Sequence, residues 1–250
     1  MQTTPIKALK DNYIWAIHNS ESCIIVDPGE AKVVLDFLTN KNLSLAAILI
    51  THHHYDHTDG IQEIHTKWPN TPIIGHKISP NKHINKRVLD EEIEIMNIKI
   101  QPIPTPGHTL CHLTYLVKLE QPLAFTGDTL FSAGCGKIFE GTAAMMLNSL
   151  NLIASLPDET LIYCGHEYTL SNLRFAHTIE PNNTDIAQAI NTLSNTEITL
   201  PSSLKTEKQI NPFLRCKEPT VQASVKTKFK LNKINQLETF TLLRQWKNNF

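Results

Sequence analysis

The most restrictive feature of this chain is the run from Leu45 to Ile50, an apolar stretch that passes directly into Thr51-His52-His53-His54-Tyr55-Asp56-His57. An uninterrupted apolar run of this length reads as a buried strand. The polar segment after it therefore lies at a strand end, where loops commonly build sites. Four of its residues, His52, His54, Asp56 and His57, are candidate metal ligands. In a tight turn, His52 and His54 can face one ion while Asp56 and His57 face a second. Neutral imidazole is the commonest protein ligand for transition metals.

Three further motifs supply what that segment lacks: Thr105-Pro106-Gly107-His108-Thr109, Thr126-Gly127-Asp128-Thr129 and Cys164-Gly165-His166-Glu167. Each sets a glycine beside a ligand-type residue, and glycine lets backbone approach an ion without a side-chain clash. The whole set is five histidines and two aspartates, a donor mixture suited to two divalent ions. Zinc comes first, with iron or manganese compatible. A polar loop without metal would not bring the three matching motifs with it.

Apolar runs at Tyr13 to Ile17, Cys23 to Val26, Leu45 to Ile50, Ile73 to Ile74, Ile98 to Ile103, His112 to Val117, Leu123 to Thr126 and Leu161 to Cys164 are read as strands. Apolar spacings of three and four predict helices at Ala31 to Leu38, Gly60 to Trp68 and Thr142 to Leu156. The fold class is α/β, arranged as a sandwich. Beyond residue 166 helical patterns take over, at Leu170 to His177, Asp185 to Leu193, Thr220 to Lys228 and Leu237 to Trp246, with prolines between them. The expected organisation is a catalytic domain over residues 1–166 and a smaller helical domain over 167–250.

Charge narrows the partners. With 23 basic against 24 acidic residues, no global field attracts nucleic acid or an anionic membrane. The five cysteines form no CxxC pair and no compact framework, which fits a reducing cytosol. The N-terminal residues lack the charged start and apolar core of a secretory signal, and no window reaches membrane-spanning length. A cytoplasmic, monomeric, unprocessed protein is expected.

The segment His-x-His-x-Asp-His followed by separated His, Asp and His resembles the metal signature of the metallo-β-lactamase superfamily. Within it the chain is similar to the glyoxalase II (hydroxyacylglutathione hydrolase) family. The likeness also runs through Asp11-Asn12-Tyr13, Val26-Asp27-Pro28-Gly29, Gly127 to Gly141, Gly165 to Thr169, Asn211-Pro212-Phe213-Leu214-Arg215 and Arg244-x-x-Lys247. This resemblance implies a four-layer αββα sandwich and hydrolysis of S-D-lactoylglutathione to D-lactate and glutathione, the second step of methylglyoxal detoxification. It implies His52, His54 and His108 on a first metal, Asp56, His57 and His166 on a second, and Asp128 as the bridge. Of these, His52, His54, Asp56 and Asp128 act in catalysis. It further implies that Lys137, Tyr168, Arg244 and Lys247 contact glutathione, whose carboxylates attract basic side chains. Two ions about 3.5 to 4 Å apart would hold a hydroxide that attacks the thioester carbonyl.

Two positions depart from the family pattern: Phe139 where a tyrosine is common, and Cys111 where glycine is usual. Cys111 reads as a packed side chain, with a spare soft ligand as the other reading. His53 points away from the first ion in such a turn and reads as supporting, as does His112. His18, His65, His76, His83 and His177 stand outside any ligand spacing. Asp27 either orients a ligating imidazole or caps the turn before Pro28-Gly29. Among rival functions, a β-lactamase calls for a secretory signal and an RNA phosphodiesterase for a basic exosite. A persulfide dioxygenase reuses the same metal motif. A noncatalytic metal or redox module does not need so complete a ligand set with room for water.

Overall fold

The computed structural model describes all 250 residues and contains two six-stranded mixed sheets laid face to face. The first runs in chain order: β1 (Gln2–Ala8), β2 (Asn12–His18), β3 (Ser22–Val26), β4 (Ser44–Leu49), β5 (Ile73–His76) and β6 (Lys86–Val88). Its first three strands are antiparallel, and β3 to β6 are parallel. The second sheet is built from β7 (Ile93–Ile95), β8 (Ile98–Pro104), β9 (Leu113–Lys118) and β10 (Leu123–Gly127), which follow one another antiparallel. A two-stranded ribbon, β11 (Leu130–Phe131) with β12 (Gly134–Cys135), leads on from β10. Beside β10, β13 (Leu161–Cys164) pairs parallel, and β14 (Ser202–Ser203) closes the edge.

Alternation along each strand explains why the runs read as continuously apolar. On β2, Tyr13, Trp15 and Ile17 enter the core between the sheets, where they meet Tyr115, Val117 and Phe125 of the second sheet. Ile14 and Ala16, on the opposite face, join a second core beneath α1 (Ala31–Asn40) and α3 (Ile61–Lys67), with Val34, Leu38, Ile61 and Ile64. A strand covered on both faces has no polar side to show. The far face of the second sheet, at Ala124 and Ile162, is covered in the same way by α4 (Ala143–Ala154) and by helices of the C-terminal region. The layers are therefore helix, sheet, sheet, helix. No helix is long and apolar enough to cross a membrane.

The C-terminal region holds α5 (Thr169–Ile179), α6 (Thr184–Leu193), α7 (Leu204–Ile210), α8 (Pro219–Phe229) and α9 (Gln236–Asn248), besides the one-turn α2 (Tyr55–Thr58) of the metal-type segment earlier in the chain. Asn235 and Glu238 start α9 with a reciprocal capping box. Phe213, Val221, Val225, Phe240 and Leu243 share one core cluster with Ala124, Met146 and Ile162, so apolar packing is continuous across residue 166. β14 likewise reaches from the helical region onto the sheet. The eight anticipated strands and seven anticipated helices all form, with ends shifted by a few residues. β1 gave no signal because it is an edge strand with Pro5 and few apolar residues, and an edge tolerates proline. All five cysteines are free and buried, and burial pushes the Cys23 and Cys164 thiols up to about 12.

One ion pair ties the helical region together. Arg215 grips the carboxylate of Glu180 through Nε (2.7 Å) and Nη2 (3.0 Å), and Thr220 donates its hydroxyl to the same group. Burial alone would raise the Glu180 pKa, but Arg215 and Thr220 hold it below the ordinary 4.5. Arg215→Ala leaves a buried carboxylate unpaired, and urea unfolding at pH 7 should show a loss of about 3 kcal/mol. Because the folded-state pKa is depressed, this contribution is complete above the unfolded value and vanishes as pH falls through the folded one. The gap between wild type and variant should therefore narrow below about pH 4.5.

Candidate metal centre

The strand ends converge at one edge of the sandwich. β4 delivers Thr51 to His57, β8 delivers the Thr105–Cys111 loop, β10 ends on Gly127-Asp128, and β13 is followed by Gly165-His166. Backbone bonds lock these segments together: Leu113 N to Thr51 O (2.8 Å), Gly165 N to Gly127 O (2.9 Å) and Tyr13 N to Gly165 O (2.8 Å). Gly165 has no space for a side chain, since a Cβ there would lie 2.7 Å from both Asp128 Oδ1 and His57 Cε1. Gly127 turns with φ +46°, and its Cβ would strike the Thr51 hydroxyl at 2.5 Å.

His52, His54 and His108 point their ring nitrogens at one spot: His54 Nδ1 lies 3.1 Å from His52 Nε2 and 3.0 Å from His108 Nε2. Their outer nitrogens fix the tautomers. His108 Nδ1 faces the carbonyl of Lys137 at 2.8 Å, an acceptor only, so it carries the hydrogen. Thr51 donates its hydroxyl to Asp27 at 2.5 Å, leaving its oxygen to accept from His52 Nδ1 at 3.0 Å. Both Nε2 atoms therefore present lone pairs. Three nitrogens with at most one hydrogen among them do not form a hydrogen-bonded network. They fit a cation, since ligands at about 2.0–2.1 Å in a tetrahedron stand about 3.3 Å apart.

A second group adjoins it. Asp56, His57 and His166 offer donor atoms within 4.8 Å of one another. His57 Nδ1 donates to Asp27 (2.9 Å) and His166 Nδ1 to Asp11 (2.8 Å), so both Nε2 atoms again turn inward. Asp128 stands between the two groups: Oδ1 is 3.4 Å from His57 Nε2 and from His166 Nε2, and Oδ2 is 3.4 Å from His108 Nε2. His57 Nε2 and Asp128 Oδ1 are buried without any hydrogen-bond partner. Two inward-facing orphan atoms of this kind are what a metal ligand looks like before its ion is considered.

The electrostatics of the two groups differ. Burial pushes the His52 pKa far down, helped by the surrounding imidazoles, and lowers His54 and His108 as well. Burial also opposes charge on His57, yet Asp128, Asp27 and Asp56 outweigh it and lift that pKa to about 9. Burial would raise the Asp128 pKa, but His57 and His166 hold it well below the usual carboxylate range. The second group thus carries an excess of negative charge that favours a cation.

Asp27 sits at φ +53°, an uncommon conformation for a residue with a side chain. Its carboxylate accepts from Thr51 N (2.7 Å), the Thr51 hydroxyl and His57, so it orients a ligand-type imidazole and does not cap its own turn. His53 faces Cys111 Sγ (3.2 Å) and Glu140 (3.3 Å) and stays outside both groups. Cys111 is buried against His53 and is likewise not in either group. His112 accepts from the Asp128 N–H (3.1 Å) and reaches the hydroxyls of Thr105 and Thr129, a supporting position. Asp11 comes from the β1–β2 turn, and Asn12, whose amide donates to Asp56 Oδ2 (3.0 Å), is the first residue of β2. Nothing in their spacing marked them for this, although the Asp11-Asn12-Tyr13 motif did stand out.

Beside the imidazoles opens a cleft of ≈390 Å³ whose lining includes Lys137, Phe139, Tyr168, Arg244 and Lys247. A larger hollow of ≈700 Å³ among Glu180, Asp185 and Arg215 lies away from the imidazoles. Tyr168 stacks on His166 at 4.8 Å, and Phe139 stands edge-on to His54 and His108. Lys247 donates to Ser171 O (3.2 Å) and sits over Phe175 and Phe250. Arg244 is buried, with Nη1 bonded to Cys135 O at 2.7 Å.

Residues 10–166 match the family described as metallo-beta-lactamase superfamily, and residues 167–250 match hydroxyacylglutathione hydrolase C-terminus. The chain is 46% identical over 251 residues to a hydroxyacylglutathione hydrolase of Photobacterium profundum, with 98% of both chains covered. It is 44% identical over 259 residues to one of Pseudoalteromonas translucida, covering the whole of both. The chain belongs to the hydroxyacylglutathione hydrolase family. A crystal structure of ETHE1 from Myxococcus xanthus shares the fold, with TM-score 0.68, 21% identity and coverage of 99% of this chain and 98% of that one. This hydroxyacylglutathione hydrolase family member thus combines the superfamily sandwich with the family's own helical region.

The Asp27–His57 contact generates a test. Asp27→Ala should keep the fold and weaken metal retention by roughly 10- to 100-fold, as loss of an orienting partner does. Elemental analysis after dialysis against a chelator would measure it, and wild-type retention would show that His57 does not need its anchor.

Proposed function

We infer that the protein hydrolyses the thioester of a 2-hydroxyacylglutathione, S-D-lactoylglutathione by preference, releasing D-lactate and glutathione as the second step of methylglyoxal detoxification. The observation that carries this reading is Asp128, one carboxylate facing two imidazole groups at the end of a cleft with three basic side chains. In this reading residues 1–166 form the catalytic domain and 167–250 the helical domain that completes the cleft. The free buried cysteines fit a monomer in the reducing cytoplasm.

His52, His54 and His108 would hold one divalent ion and Asp56, His57 and His166 another, with Asp128 facing both groups; zinc suits the donors best, and iron or manganese fit as well. Ions held there would act as Lewis acids and would supply a nucleophile at neutral pH. Asp27, Asp11, Thr51 and the Lys137 carbonyl keep the imidazoles aimed inward. Asp56, only partly buried and steadied by Asn12, takes the proton from the attacking water. Lys137, Arg244 and Lys247 pair with the glutathione carboxylates, while Tyr168 lies along the cleft wall. The leaving thiol ionises near pH ~8.5, so its departure needs little acid assistance.

Elemental analysis of the folded protein should approach two metal ions per chain, together with thiol release from S-D-lactoylglutathione. Asp128→Ala should lose both metal and turnover. Turnover with one ion that no excess metal can supplement would remove the bridge from the reading.

Lys247 gives an independent check of the substrate. Burial, followed by the neighbouring Arg244, brings its pKa down to about 8. Its charge is present below that value, so KM should climb as pH rises above 8. Lys247→Ala should raise KM, lower kcat/KM by about tenfold to a hundredfold for one charge-assisted contact, and abolish that pH response. Unchanged kinetics would leave the thioester hydrolase without its glutathione contact at this position.

A further inference from the structure

The segment Asn211-Pro212-Phe213-Leu214-Arg215 has no part in the chemistry above, yet its first residue is fully buried. Asn211 closes α7 and donates Nδ2 to two carbonyls of the ribbon, Phe131 O (3.1 Å) and Gly134 O (2.9 Å). One turn earlier on the same helix, Glu207 is 0% exposed and carries no basic partner. Its carboxylate accepts from Ala133 N (2.8 Å), the Ser132 hydroxyl (2.9 Å) and Asn211 Nδ2 (3.1 Å). A buried carboxylate is costly, and its three bonds here go to the tip of the ribbon or to the side chain that holds it. Ala133 sits at φ 54°, a left-handed conformation that is unfavourable for an alanine and persists only where something holds it.

The ribbon continues into Gly136 and Lys137. Gly136 N donates to Thr129 O (3.2 Å), next to Asp128, and Lys137 O accepts from His108 Nδ1 at 2.8 Å. That carbonyl fixes which nitrogen of His108 faces inward. The α7 side chains and the His108 tautomer are thus joined through seven residues of backbone.

We propose that Glu207 and Asn211 are positioning residues for the metal centre: by fixing the backbone from Phe131 to Gly134, they hold the Lys137 carbonyl against His108. The helical region thereby sets metal affinity at the His52–His54–His108 position. This rests on the reading of His108 as a ligand. A merely structural role would lower the stability of the chain and leave metal affinity alone.

The test compares Asn211→Ala and Glu207→Gln with two controls. Val225→Ala destabilises the α8 core while removing no hydrogen bond to the ribbon, and His108→Ala removes the ligand itself. Zinc affinity is read by competition with a chromophoric chelator, and thermal unfolding is followed in parallel. Both α7 variants should lose roughly 10- to 100-fold in zinc affinity at one of the two positions. Val225→Ala should bind zinc as wild type does despite its lower melting temperature. Wild-type zinc affinity in the α7 variants, with His108→Ala weakened, overturns the proposal. Wild-type affinity in His108→Ala overturns it too, by removing the ligand through which these residues act. Should Asn211→Ala fail to fold, Glu207→Gln, which keeps the size and one acceptor oxygen, decides the matter alone.

Discussion

Four imidazoles of the metal centre are each held at the nitrogen that faces away from it, and the rest of the architecture serves those four outer contacts. Thr51 holds His52, Asp27 holds His57, Asp11 holds His166, and the Lys137 carbonyl holds His108. A neutral imidazole has one donor and one acceptor, so fixing one nitrogen fixes the role of the other and the plane of the ring. The holders come from four separate places: the end of β4, the end of β3, the β1–β2 turn and the loop beyond β12. The sandwich brings them to one edge, and the contacts Trp15 Nε1 to Cys164 O and Tyr115 OH to Ile50 O tie the two sheets together near it.

Charge imposes a second condition. Asp27 and Asp128 are buried almost completely, and carboxylates in such surroundings require hydrogen bonds or cations. Asp27 is satisfied within the protein. Asp128 is not, because Oδ1 has no partner. The apolar core between the sheets, from Tyr13 to Tyr163, supplies the rigidity that keeps this unsatisfied group in place. Local frustration at the centre and consistent packing elsewhere is the division expected of a functional site.

Much of this was legible in the sequence, for identifiable reasons. Strands covered on both faces announce themselves as apolar runs, which is why β2, β3, β4, β10 and β13 fell where they were read. The ligand-type residues stood out because they lie just beyond those runs, His52 to His57 in one close-set segment and His108, Asp128 and His166 each beside a glycine. What stayed hidden was whatever depends on backbone or on distant pairing. The carbonyl of Lys137 leaves no trace in a side-chain pattern, and Asp11 reaches His166 across 155 positions. Asp27 could be read two ways because a turn and an orienting carboxylate have the same local sequence. Arg244 was read only as a glutathione contact, and its burial against Cys135 and Phe213 at the join with the ribbon had no counterpart in the side-chain pattern. α7 was missed because it is only seven residues long and its most telling member, Glu207, looks like a surface residue.

The buried cysteines bear on how the molecule ages. Disulfide exchange and oxidation proceed through the thiolate, and a thiol pushed up to about 12, as Cys23 and Cys164 are, is almost wholly protonated at neutral pH. Cys111, Cys135 and Cys216 are raised by burial as well. A catalyst that liberates a small thiol at every turnover works among the mixed disulfides such thiols form. With every thiol of its own buried and in its unreactive form, this chain has nothing to offer them, and its candidate metal ligands, all nitrogen and oxygen, stay outside that traffic.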